Sequence, residues 1–357
     1  MSESFRKYFE PIKKRWVYHF MISPKTAIID KPEWYLNQTL KWINTKGEDK
    51  DPQTKQWLVL SLLELAKIRL SEDMSKLAKT IDEDEHSEAL LVHIYNEVVQ
   101  FTKQIRQLPG GVYSDLEEKH DLMSVFSDQI LFEKIDHNEW EYSKRNLREI
   151  MSSTSKWDPV LEGDFVDNYR IPRCVDRFLL LIKSISDKVD CFNQLDCKFR
   201  LIDLQCSLFN KFLKFMKQST ENTSISKNII TDIFFFADDS TIDLSRILRV
   251  LNGTNCLRLI LLEERRFIAS SVKGKLDTDL KARLDRTTHE YVTYYNRLID
   301  KVVNIYESTD CDLQKFLEFV RPKLAYGIYE SVRDEASKIH QTFQTQTMLK
   351  GLSLGRE

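Results

Sequence analysis

Beyond residue 30, apolar positions recur three and four residues apart, the interval that gathers them on one face of an α-helix. In "PEWYLNQTLKWI" (32–43), Tyr35, Leu36, Thr39, Leu40, Trp42 and Ile43 share one broad face. Pro32 suits a first helical turn, where its missing N–H costs nothing, and Asp30 and Glu33 have capping-box spacing. Trp42 lies on the apolar face and is a core candidate. Trp34 points nearly the opposite way; it either packs against the preceding segment or sits on the surface, available to a partner.

The same interval predicts helices over 52–70, with Leu58, Leu62 and Leu65 on one stripe, and from the acidic stretch "IDEDEHSE" to "LPGG" near 107. Carboxylates at that start favour the helix dipole. Further helices are predicted over 115–134, opened by the capping-box pair Ser114 and Glu117, then over 136–151 and 172–189. Leu195, Phe199, Ile202, Cys206, Phe209, Leu213 and Met216 alternate four and three apart, the seam of an internal bundle helix. Phe199, Ile202 and Phe209 are its core candidates. Helices over 223–236, 241–251, 255–272 and 276–307 follow, with a last one over 312–342 bent at Pro322.

The ends of the chain break this period. In "KKRWVYHF", Trp16, Tyr18 and Phe20 alternate, and they share one side if the backbone is extended. Residues 1–30 are therefore expected to form an extended arm. Trp16, Tyr18 and His19 are candidates, with Trp34, for packing that arm or for meeting a partner. Lys13, Lys14 and Arg15 resemble a minimal basic address, but three basic residues are weak evidence and a solvated arm is the better reading. The longest aperiodic stretch, "SSTSKWDPVLEGDFVDNYRIP", places a boundary near 155. The organisation expected is an arm (1–30), a first bundle (31–155), a second bundle (156–341) and a flexible tail (342–357).

Composition sharpens the fold class to all-α. The 357 residues include only 9 Gly and 8 Pro; average usage gives roughly 25 and 18. Tight turns need those residues, so their scarcity points to long helices with few connections. The 53 basic and 55 acidic residues leave a formal charge of −2, without the basic excess of a nucleic-acid binder. The six cysteines lack CxxC spacing and read as reduced, buried thiols of a cytosolic protein. The sequons at Asn37, Asn222 and Asn252 lie in a sequence with no apolar leader and read as chance matches. The longest apolar run, "IITDIFFFA", falls short of the ~18 residues needed to span a bilayer.

The search for chemistry returns almost nothing. No GxGxxG, GxxxxGK[ST] or HExxH occurs. "GLSLG" (351–355) matches GxSxG, but only Arg356 and Glu357 follow it, so no acid and histidine partners come later in the chain. His86, His93 and Glu97 have partial ligand spacing, whereas a metal site needs three or four converging ligands. A surface histidine beside a glutamate is the simpler description. Asp238-Asp239 and Glu263-Glu264 are adjacent and diverge on a helix. No catalytic, cofactor or metal residue is assigned, and no small-molecule substrate is expected.

Three segments carry a resemblance. "RWVYHF" (15–20) followed by "KPEWYL" (31–36) and "WI" (42–43) resembles the signature of the family formed by the Tip subunit of the yeast Dsl complex and its animal counterpart, the Rad-fifty interactor. "SKWDPV" running into "YRIPRCVDRFLLLIKSISDK" (155–188) and "KFRLIDLQCSLFNKF" (198–212) resemble the family's next elements, with Leu201, Leu204 and Gln205 in matching places. The family's usual N-terminal helical region, which reaches a neighbouring tether subunit, has no counterpart before residue 15. The resemblance implies an elongated rod of stacked helical bundles without enzyme activity. It implies assembly with other tethering-complex subunits and endoplasmic-reticulum SNAREs, and peripheral attachment to the cytosolic face of the endoplasmic reticulum through those partners. The process implied is Golgi-to-endoplasmic-reticulum retrograde transport, with no nucleic acid involved. The competing class is a helical scaffold of the same fold serving genome maintenance or checkpoint control.

Overall fold

In the computed structural model the described residues are 2–81, 84–108, 120–160, 170–221, 242–272, 275, 277–308 and 312–354. They are all-α, apart from one isolated antiparallel bridge between Pro159 and Pro172. The helices are α1 (Glu3–Val17), α2 (Pro32–Gly47), α3 (Pro52–Leu77), α4 (Glu85–Arg106), α5 (Gln129–Ser152), α6 (Arg173–Cys191), α7 (Leu195–Glu221), α8 (Ile242–Ser271), α9 (Thr278–Ser308), α10 (Leu313–Val320) and α11 (Tyr326–Leu354). Among the described residues, no helix is long and apolar enough to cross a membrane.

The chain divides into two compact units, Met1–Tyr142 with Ser184–Ile202, and Ser143–Lys183 with Asp203–Glu357. The first unit runs to Tyr142 and also takes in Ser184–Ile202 from later in the chain. Periodicity cannot reveal this, because α5, α6 and α7 each keep one unbroken helical register while giving one end to each unit.

The first unit is built on α3. Asp51 caps it by accepting from the Thr54 N–H at 3.0 Å, and Pro52 follows in the first turn. Leu58, Leu62, Ala66, Leu70 and Met74 are fully covered, and the helix runs a further seven residues past the expected end at Leu70. Asp84 caps α4 in the same way, onto the His86 N–H at 2.9 Å. The pair read for α2, Asp30 with Glu33, does not form: Lys31 is the N-cap residue and makes no side-chain capping bond. A 3-10 turn, Leu122–Ser127, and a single α5 replace the two helices expected over 115–134 and 136–151. Residues 109–119, with Ser114 and Glu117, lie outside the described residues. Tyr95 packs edge-on to Phe126 and face-on to Phe192, which brings the chain after α6 into this core.

In the second unit Phe178 of α6 stacks on Phe212 of α7 at 4.3 Å, and Phe209 meets Phe178 and Tyr291 edge-on. The Tyr291 hydroxyl donates to the Phe209 carbonyl at 2.9 Å, satisfying a polar group inside the apolar interface. Phe209 is buried here; Ile202, at the end of α7 that belongs to the first unit, is also buried, and Phe199 is half-buried. The buried stripe of α7 includes Leu201, Leu204, Leu208 and Phe212, wider than a two-position seam, because neighbours cover more than one side.

The expected break between 251 and 255 is absent: α8 passes through Asn252-Gly253 without interruption. A Cβ on Gly253 would lie 2.7 Å from Val175 Cγ2, so glycine here permits close helix contact and does not end the helix. Asn252 is buried. Its amide donates to the carbonyls of Arg170 and Lys323 and its oxygen accepts from the Ala325 N–H, tying α8 to both flanking loops. Pro322 sits in a 3-10 turn, Arg321–Lys323, that separates α10 from α11 where a bend was expected. The tail expected from 342 is helical to Leu354. The helix predicted over 223–236, the run "IITDIFFFA" and Asp238-Asp239 fall outside the described residues.

Candidate interaction surface

Residues 15–43 form one interlocked piece. Residues 1–30 are not an extended arm. Ser2 caps α1 by accepting from the Phe5 N–H at 3.2 Å, and the helix runs to Val17. A π-turn over Tyr18–Ile22 follows, closed by the Ser23 N–H donating to the Tyr18 carbonyl at 2.8 Å. In helical geometry Trp16 and Phe20, four apart, fall on one side, while Tyr18 and Ile22 fall on the other. Trp16 and Phe20 are buried; Tyr18 is 57% and Ile22 64% exposed. The alternation that suggested a strand is therefore produced by a helix passing into a π-turn, which a count of periods does not distinguish.

Trp16 is the centre of the cluster. Its ring lies 5.3 Å from Phe20 and 6.2 Å from Tyr35, and its indole N–H donates to Thr39 Oγ1 at 3.1 Å. Phe20 closes the triangle at 6.5 Å from Tyr35. Thus "RWVYHF" supplies two rings and "KPEWYL" supplies the surface that receives them. His19 is half-buried between the rings of Tyr18 and Phe20, and its carbonyl accepts from the Thr26 hydroxyl.

The tryptophans of α2 divide differently from the sequence expectation. Trp42 is half-buried, while Leu36, Thr39 and Ile43 of the same helix are covered. Trp34 remains 43% exposed. Of the four candidates for arm packing or a partner, Trp16 is wholly core, Tyr18 and Trp34 are exposed, and His19 lies between.

Beneath Tyr35, Arg69 and Asp73 form a buried ion pair at 2.8 Å. Burial pushes the Asp73 carboxyl above its ordinary range, against the opposing pull of Arg69. Burial and then the nearby Asp73 charge push the Tyr35 phenol up. The Tyr35 hydroxyl and Asp73 Oδ1 are buried without a hydrogen-bond partner. The i, i+4 spacing of Arg69 and Asp73 was the available signal, but on an apolar-rich helix it reads equally as solvated charge.

Among the described residues, no three His, Cys, Asp or Glu side chains are placed to hold a metal ion. His93 faces Glu33 of α2, Nε2 to Oε2 at 3.6 Å, as one pair. Burial pushes the thiols of Cys174, Cys197 and Cys206 up to about 12 and that of Cys191 up to about 11. Burial also raises Cys256. Such thiols lack the thiolate a nucleophile needs. Cys311 lies outside the described residues. A groove along α3 is lined by Glu64, Lys67, Ile68, Ser71 and Glu72, a charged helix surface. What the first unit presents is an exposed set of aromatic, aliphatic and basic side chains on a firmly packed base.

Comparison with known proteins places this cluster inside a family match. Residues 4–264 match the model of the RINT-1/TIP-1 family. A RINT1-like protein of Drosophila melanogaster is similar at 22% identity over 216 residues, covering 57% of this chain and 28% of the relative. The match thus spans less than a third of that relative's length. No solved structure matches.

Proposed function

Because the chain belongs to the RINT-1/TIP-1 family, we propose that it is a non-catalytic subunit of a vesicle-tethering complex acting in Golgi-to-endoplasmic-reticulum retrograde transport. In this reading it binds other tether subunits and endoplasmic-reticulum SNAREs through helical surfaces. It is held at the cytosolic face of the endoplasmic reticulum by those partners. The observation that carries the reading is the family match over residues 4–264, which includes the interlocked Trp16–Phe20–Tyr35 cluster. The geometry supports a scaffold over an enzyme: Trp16, Phe20 and Tyr35 of the signature bury one another, and the described thiols are driven away from reactivity by burial.

Affinity capture of the tagged chain from cells, with mass spectrometry of what is retained, tests this. Recovery of endoplasmic-reticulum SNAREs together with other tether subunits is the expected result. Recovery of neither, by a chain whose circular dichroism is helical, overturns the reading.

A further inference from the structure

α1 is fastened to the first unit by one side. Phe5 and Trp16 are buried, Phe5 meets Trp57 at 5.6 Å, and the Tyr8 hydroxyl donates to the Lys46 carbonyl at 2.8 Å. The rest of its surface faces outward and is basic. Arg6, Lys7, Lys13, Lys14 and Arg15 are all exposed. The helix carries two carboxylates, Glu3 and Glu10, which pair with Lys7 and Lys14 at 3.1 and 3.6 Å. Five cations against two carboxylates leave an excess of three positive charges on one helix, in a chain whose formal charge is −2.

The π-turn adds an apolar element to this charge. Its i to i+5 closure sets Tyr18 and Ile22 on one side, opposite buried Phe20, with Tyr18 within about a turn and a half of Lys13, Lys14 and Arg15. An exposed tyrosine and isoleucine beside a basic helical face is the side-chain chemistry of a segment lying in a membrane–water interface. A purely acidic protein surface would satisfy the cations but would give Tyr18 and Ile22 nothing to enter.

We propose that the outer face of α1 and its π-turn is a lipid-binding surface for anionic bilayers, with Arg6, Lys7, Lys13, Lys14 and Arg15 over the headgroups and Tyr18 and Ile22 entering the interfacial layer. This contact is direct, in addition to attachment through partner proteins, and it does not depend on the tether reading.

The test is sedimentation of the purified full chain with phosphatidylcholine vesicles, with and without phosphatidylserine, across a salt series. The expected result is partitioning onto the anionic vesicles only, weakening as salt rises. Each cation near an anionic surface contributes about fivefold, so the triple variant Lys13→Glu, Lys14→Glu, Arg15→Glu lowers partitioning by roughly a hundredfold or more. Tyr18→Ala with Ile22→Ala also weakens it and retains the melting curve of the parent, and the charge-reversed variant, altered only at exposed positions, keeps a cooperative transition with a slightly lower midpoint. No partitioning onto anionic vesicles overturns the proposal, as does partitioning indifferent to both variants. Loss on charge reversal without any effect of Tyr18→Ala and Ile22→Ala overturns the entry of those two side chains into the interfacial layer.

Discussion

The indole N–H of Trp16 donates to Thr39 Oγ1 at 3.1 Å, joining two segments 23 residues apart inside a covered core. A buried donor left without an acceptor costs about 1–3 kcal/mol, so this bond specifies how α1 seats on α2 as well as stabilising the contact.

The three tryptophans of this region therefore differ in weight. Trp16→Ala removes a covered ring and its hydrogen bond and destabilises by about 3–5 kcal/mol. Trp42→Ala costs less, about 1–2 kcal/mol, because that ring is half-buried, and Trp34→Ala stays within about 0.5 kcal/mol. Urea midpoints of the three variants give this order. Equal losses for Trp34→Ala and Trp16→Ala would refute the placement of Trp34 at the surface.

Gly253→Ala separates propensity from packing. In an exposed helix interior the change stabilises by about 1 kcal/mol. Here the new methyl meets Val175 Cγ2 at 2.7 Å, and overpacking of this kind costs about 1–3 kcal/mol. The expected outcome is a lower thermal midpoint for Gly253→Ala, partly restored in the double variant with Val175→Ala. A raised midpoint for the single variant would show that α6 and α8 do not approach so closely.

Tyr35 and Asp73 respond oppositely to truncation. Tyr35→Phe removes a buried hydroxyl that has no partner and leaves stability unchanged or higher. Asp73→Ala leaves Arg69 buried and uncompensated and costs about 3–5 kcal/mol. Asp73 also sets a pH dependence. Its folded carboxyl holds a proton more tightly than the unfolded chain does, so its contribution to stability increases as pH falls toward the usual aspartate value of about 4. That contribution is lost as pH rises above the raised folded value. Comparing urea midpoints at mildly acidic and neutral pH for the parent and Asp73→Asn isolates this slope, which the variant lacks.

Thiol labelling reports on the scaffold assignment. Cys174, Cys191, Cys197, Cys206 and Cys256 stay unmodified by iodoacetamide in the native chain at neutral pH and all label in denaturant, because burial holds each as a thiol. Peptide mapping locates the label. Rapid native labelling of Cys206 would contradict its burial in α7.

By itself the sequence determined that the protein is helical and, for much of the chain, which residues share a helical face. Leu58, Leu62 and Leu65 of α3, the start of α4 within the acidic stretch 81–88 and the seam residues Ile202 and Phe209 follow from a 3.6-residue period and from the helix dipole, both local. Periodicity cannot say which of two faces a neighbour will cover. Only the tertiary structure decided that Trp16 is core while Trp34 and Tyr18 are exposed, because the π-turn after α1 rearranges faces that an extended reading would unite. The same limit applied at Asn252-Gly253, a helix end by local rules. There a valine from α6 and two flanking loops complete the packing and hydrogen bonding, and α8 continues. Local sequence encodes short-range geometry; burial arises from contacts between residues far apart in the chain, and those exist only once the helices have met.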